Sequence, residues 1–290
     1  MYIFVQSFTL LLIMSTKYSI RYAAHPDDVK KYDTSKLRSE FHIDNVFEAD
    51  EINLVYSMYD RYIVGGAFPL TSDLELEAID PLKADYFLER RELGIINVGG
   101  TGQIQVDDEV YTLEYKEALY IGKGKQKIIF KKGSQPLFYI NSAPAHEVFE
   151  TKKISKSEAE VVELGSLETS NERTINKMIV NSNVGTNQLQ MGITELKTGS
   201  VWNTMPAHVH DRRMEAYFYF EVPEGQVVSH FMGQTDETRH IFVKNNQAVL
   251  SPSWSIHCGA GTSNYSFIWG MAGENLDYGD MDVCPPDEMK

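Results

Sequence analysis

The sequence predicts an all-β protein, built as two tandem antiparallel β-barrels or jelly rolls with few short helices. Short runs of β-branched and aromatic residues recur along the chain, broken by Gly, Asp and Asn; "LGIINVGGTGQIQV", "KIIFKKG", "AYFYFEV" and "YSFIWGMAGEN" are examples. Tyr and Phe are abundant, at 16 and 14, and aromatic side chains favour the pleated surface of strands. Two segments of the chain also resemble each other in the same order, which points to a duplicated barrel.

From the N-terminus, "MYIFVQSFTLLLIM" is apolar but has no preceding positive charge and is too short to span a bilayer. Residues 1–14 are therefore read as an upstream extension with Met14 as the start, a secretory signal being the alternative. "DTSKLRSEFHI" predicts a helix capped by Asp33 or Thr34, and "SKSEAEVVEL" predicts a second. The first barrel is assigned to 15–143. Residues 144–175 are charged and poor in aromatics, as suits a connector, and 176–290 form the second barrel. "GGTGQI" follows a strand but leads into another strand, so it reads as a hairpin turn rather than a phosphate cradle.

The repeat is faint but ordered. "ERRELGIINV" (89–98) lies over "DRRMEAYFYF" (211–220) without a gap, and Ala118 of "EALYIGKGKQK" lies over Ala248 of "QAVLSPSWSIH". This places Leu93 or Glu92 opposite Glu215, Tyr86 and Leu88 opposite His208 and His210, and Lys127 opposite His257. Any metal site of the second half should thus be missing from the first.

A formal charge of −14, from 41 acidic and 27 basic residues, argues against nucleic acid or an anionic membrane as partner. An anionic small substrate then needs local Arg or Lys. Two cysteines, Cys258 and Cys284, form no CxxC and no disulfide framework, which suits a reduced, cytosolic protein. Cys258 follows His257, but neighbours on a strand face opposite ways, so it is read as a packed thiol.

Chemistry concentrates in "MPAHVHDRRMEAYFYF". Residues two apart on a strand share a face, so His208 and His210 point together. After a turn through "DRRM", Glu215, Tyr217 and Tyr219 share a face of the returning strand, while Arg212 and Arg213 are read as turn residues. Two imidazoles and a carboxylate suit a divalent cation, and His257 of "SPSWSIHCG" supplies a fourth donor. The donor set suits zinc, iron, manganese or nickel equally. His230 in "VVSHFMG" is a further histidine that could line the barrel.

The pattern HxH, four residues, Glu and a distant His resembles the metal motif of the cupin superfamily. More narrowly, "YFLERRELGIINVGG", "TSNERTINK", "WNTMPAHVHDRRMEAYFYF", "GQTDETRHI" and "SPSWSIH" resemble the 5-keto-4-deoxyuronate isomerases over about residues 17–283. The resemblance implies a bicupin with one zinc ion per chain on His208, His210, Glu215 and His257. It implies a ketol-isomerase of pectin and uronate breakdown, converting 5-dehydro-4-deoxy-D-glucuronate to 3-deoxy-D-glycero-2,5-hexodiulosonate. It also implies a cytoplasmic homo-oligomer, a hexamer. Within the shared motifs, Arg173, Lys177 and Arg239 are candidates for the substrate carboxylate. Tyr217 and Tyr219 are candidates for proton transfer or hydroxyl orientation. The competing readings are a cupin non-haem metal oxygenase and a non-catalytic sugar-binding bicupin.

Overall fold

The computed structural model describes residues 16–274, 276 and 279–290; the proposed extension, 1–14, lies outside them. These residues form two seven-stranded sheets, two four-stranded sheets and one two-stranded ribbon. The all-β expectation holds.

Each half pairs one large sheet with one small one. In the first half, Ile63–Ala67, Phe138–Pro144, Arg91–Asn97 and Ala118–Ile121 are consecutive neighbours in the large sheet. In the second, Gln190–Leu196, Ser266–Gly273, Arg213–Phe220 and Gln247–Ser251 take the same places. The registers coincide as well. Ile96 pairs with Ala118 and Leu93 with Ile121, while Phe218 pairs with Ala248 and Glu215 with Ser251. The sequence overlay therefore matches strand for strand, with Leu93 in the place of Glu215.

The large sheets pack face to face, with the small sheets outside. Period-two alternation produces this layering. Ile96, Tyr120 and Tyr139 join Met191, Ala216 and Phe218 in a core shared by both halves. Their neighbours Ile95, Leu119 and Ile140 fill the first barrel, and Tyr217, Tyr219 and Val249 fill the second. Strands buried on both faces read as continuous apolar runs rather than alternation. The sheets approach closely at Gly94, where an added Cβ would stand 2.3 Å from Met191 Sδ and displace that side chain.

Polar contacts fasten the seam. Glu92, fully buried, accepts from Asn187 N at 2.8 Å, Gln188 N at 2.7 Å, Leu189 N at 2.8 Å and Tyr120 Oη at 2.8 Å. Lys116 reaches Glu195 at 2.7 Å and Glu221 at 2.9 Å. Chain exchange adds to this: the strand His42–Ile43, which lies in sequence between Thr16–Arg21 and Ile52–Ser57 of the first large sheet, edges the second half's large sheet.

The helix expected near the start is Thr34–Phe41, capped by Asp33, whose carboxylate accepts from Lys36 N at 2.7 Å. The second expected helix is not formed. Lys156–Glu158 make one 3-10 turn closed by a Ser155–Glu158 capping box. Glu160–Leu164 is a strand antiparallel to Arg173–Ile179. Val161 and Val162 favour extension, and an open sheet edge supplies backbone partners that overrule the local helical pattern. Among the described residues, no helix is long and apolar enough to cross a membrane.

Candidate metal centre

Four elements converge at one end of the second barrel. His208 lies on Ala207–Val209, a short strand paired with Asp282–Cys284. His210 follows two residues on, so both rings turn to one side, with centroids 4.7 Å apart. Glu215 belongs to Arg213–Phe220, and His257 immediately precedes Cys258–Gly261. The ligand atoms of these four residues all lie within 4.8 Å of one another, and it is the cluster of its kind found among the described residues.

Hydrogen bonding fixes the tautomers. His210 Nδ1 lies 3.1 Å from the Asp280 carbonyl, and His257 Nδ1 lies 3.4 Å from the Ser255 carbonyl. A carbonyl only accepts, so each Nδ1 carries the proton and each Nε2 presents a lone pair inward. Burial lowers the His208 pKa to about 3 and the His257 pKa to about 4, which keeps both rings neutral. Burial opposes ionisation of Glu215, but its contacts with the His257 and His210 imidazoles outweigh this and hold the carboxyl below its ordinary range.

These electron-rich atoms are close. His210 Nε2 is 2.8 Å from Glu215 Oε1 without forming a hydrogen bond, and His257 Nε2 is 3.1 Å from His208 Nε2. Ligands of a tetrahedral ion at about 2.0–2.1 Å stand roughly 3.3 Å apart, so the spacing is that of donors around one cation. Glu215 is 3 % exposed, and no Lys or Arg among the described residues pairs with it. A buried carboxylate with only neutral imidazoles beside it is costly until a cation joins them. The residues present fit a divalent metal.

The cluster opens into a cavity of about 260 Å³. Its apolar wall includes Ile175, Phe267, Trp269 and Met271, and its polar residues include Arg173, Arg213, Thr204 and Tyr217. Tyr217 Oη is 2.9 Å from Thr204 Oγ1, and its ring centroid is 5.4 Å from that of His257. Thr204 has a left-handed backbone, φ 46°, a costly state for a β-branched residue.

The other predicted residues lie elsewhere. Tyr219 is fully buried beneath the cavity, with its Oη 2.7 Å from His230 Nδ1. Lys177 is outside the lining, 2.6 Å from Glu160. Arg239, on the outer small sheet, pairs with Glu237 at 2.6 Å and donates to the Lys30 carbonyl. Cys258 is buried, and burial pushes its thiol up to about 12, consistent with a packing role.

Arg213 is the cavity-lining charge that sequence reading missed. It is 1 % exposed, lines the cavity and pairs with Asp280 at 2.6 Å. The same Asp280 supplies the carbonyl that orients His210. The signal was available: Arg213, Glu215 and Tyr217 alternate with period two, so the parity that selects Glu215 also turns Arg213 inward.

Fold and site together define a bicupin with one buried His₃Glu centre. The KduI/IolB family model matches residues 42–283, and the chain belongs to this family. It is 63 % identical to the 4-deoxy-L-threo-5-hexosulose-uronate ketol-isomerase of Formosa agariphila, over 96 % of this chain and all of that protein. The same-named enzyme of Bacillus subtilis is 52 % identical over 93 % of this chain and 99 % of its own length. Among solved structures, an IolB-like protein from Salmonella typhimurium superposes with TM-score 0.64 at 16 % identity, covering 77 % of this chain and 87 % of that one. Oxalate decarboxylase of Bacillus subtilis superposes with TM-score 0.53 at 8 % identity, over 76 % and 71 %. These two likenesses bear on the fold alone.

Proposed function

We propose that this protein is a 4-deoxy-L-threo-5-hexosulose-uronate ketol-isomerase, converting 5-dehydro-4-deoxy-D-glucuronate to 3-deoxy-D-glycero-2,5-hexodiulosonate. One zinc ion is held by His208, His210, Glu215 and His257. The observation that carries this reading is full-length identity of 63 % to an enzyme of that name, joined to an intact, buried donor quartet facing a cavity. The reading places the chemistry in the second barrel, 176–290, of a cytoplasmic homo-hexamer.

The reaction moves a carbonyl from C1 to C2. A proton leaves C2 and one is returned to C1, while a hydroxyl proton passes from O2 to O1, so no oxidant or organic cofactor is needed. When bound, the ion supplies a Lewis acid that polarises the carbonyl. Arg173, on the cavity wall, pairs with the substrate carboxylate through its planar fork. Lys177 and Arg239 lie outside the cavity lining, which leaves this role to Arg173. Tyr217, held by Thr204, orients the substrate hydroxyls and relays the proton between the two oxygens. Tyr219 acts at one remove, its ring packed beside Tyr217. The apolar wall of Ile175, Phe267 and Trp269 excludes water from the reacting carbons.

The test couples metal analysis to an isomerase assay before and after chelation. Activity should fall with zinc content and return on zinc addition. Full turnover by a metal-free, folded enzyme would remove the ion from the chemistry. A metal-loaded enzyme that leaves this uronate unchanged would refute the activity.

A further inference from the structure

We propose that the first barrel carries a binding site for a small oxyanion, a carboxylate or phosphate group, formed by Arg61, Arg90 and Arg91. The three residues line a cavity of about 190 Å³ together with Tyr56, Leu82 and Phe87. Arg91 is its centre. It starts the strand Arg91–Asn97 and is 5 % exposed. Its Nε donates to Ser142 Oγ at 3.1 Å, and its Nη2 donates to the carbonyls of Arg61 and Ser142, each at 2.8 Å. Among the described residues Nη1 has no hydrogen-bond partner, and no carboxylate stands within ion-pairing distance of Arg91 or Arg61.

Of the nearby acids, Glu92 and Asp60 are held by partners outside the cluster, and Glu89 stands beside Arg90 itself. Glu92 faces the opposite side of the sheet, where five backbone and side-chain donors from 120 and 187–189 hold it. Asp60 Oδ2 accepts from Met214 N at 3.2 Å. Glu89 lies 3.5 Å from Arg90, whose side chain is 56 % exposed. A guanidinium buried this deeply is costly without a counter-charge, and its planar fork matches an oxyanion.

The second barrel shows what the missing partner would be. Arg91 pairs across the sheet with Pro144, two residues before Leu93 on its strand; Arg213 pairs with Gly273, two residues before Glu215. The two arginines occupy equivalent places on the barrel-facing side. Arg213 is neutralised by Asp280 at 2.6 Å, whereas Arg91 shares the lining of a cavity with Arg61 and Arg90. In a chain of net charge −14, three cationic groups around a cleft are a local reversal of the field.

Isothermal titration of the metal-loaded full chain with inorganic phosphate and, separately, sodium glucuronate tests the site. One saturable event is expected for at least one probe, and the tighter probe identifies the class of head group. The exposed double substitution Arg61→Ala/Arg90→Ala should leave the protein folded and weaken that event by about tenfold or more. Glu215→Leu, which alters only the second barrel's donor set, should leave it intact. No saturable binding of either probe, unchanged affinity in Arg61→Ala/Arg90→Ala, or loss of the event in Glu215→Leu would each overturn the proposal. Because the readout is binding rather than turnover, failure of this site is separable from failure of the isomerase reading.

Discussion

The two barrels place matching strands in matching registers, yet at the decisive position one has Leu93 and the other Glu215. Leu93 belongs to a hydrocarbon core with Ile95, Leu119 and Ile121; Glu215 gathers three histidines. The backbone permits both outcomes, because a sheet fixes where a side chain points and leaves its chemistry to the sequence. A barrel filled with aliphatic side chains is a stable support. A barrel with a polar cluster at one end accepts a desolvation cost that only a bound cation offsets. The repeated architecture thus holds a hydrocarbon filling in one half and a polar donor cluster in the other.

Transplanting the first barrel's residue into the second should give the largest effect. Glu215→Leu is expected to abolish stoichiometric metal retention and to lower kcat by on the order of 10²–10³-fold or more, with the fold preserved in circular dichroism. A variant that keeps its metal and its rate would erase the distinction between the halves.

Arg173→Ala comes next. Loss of a charge-assisted fork should raise KM about 10- to 100-fold while metal content stays at wild-type level. Unchanged KM would place the carboxylate elsewhere.

Asp280→Ala asks whether the pairing that distinguishes Arg213 from Arg91 serves the metal. Freeing Arg213 and loosening the chain that presents the Asp280 carbonyl to His210 should weaken metal affinity about 10- to 100-fold in chelator competition. Equal affinity would make the pair a packing feature only.

The smallest effect concerns the seam. Lys116, from the first half, lies between Glu195 and Glu221 of the second. Burial works against ionisation of both carboxyls, but Lys116 and Lys156 at Glu195, and Ser266, Tyr115 and Lys116 at Glu221, bring both below the ordinary glutamate value of 4.5. A depressed native pKa gives stability that is present above 4.5 and lost as pH falls through the native values. Lys116→Met should cost about 1–3 kcal/mol at pH 7 and flatten the acid limb of a melting-temperature profile. An acid limb identical to wild type would show that the seam does not depend on this cluster.

Much of this was legible in the chain. The aromatic and β-branched runs specify strands, and the repeat aligns the two halves, because pleat periodicity and register are local properties. His208, His210 and Glu215 are close in sequence, so alternation and one turn suffice to bring them together. Reading failed where a local pattern met a distant partner. "SKSEAEVVEL" has helical spacing, but the edge strand Arg173–Ile179 recruits Glu160–Leu164. Arg173, Lys177 and Arg239 are equal candidates in sequence; their surroundings separate them.

The sequence by itself determined the strand content, the repeat and three of the four residues of the candidate metal cluster, since pleat alternation and one turn bring these together at short spacing, while His257 entered through its motif. Only tertiary structure decided which of the candidate basic residues face the cavity, that Asp280 both neutralises Arg213 and orients His210, and that Arg91 forms no ion pair with a carboxylate among the described residues. Those outcomes depend on electrostatic partners tens of residues away, and charge interacts through space rather than along the chain.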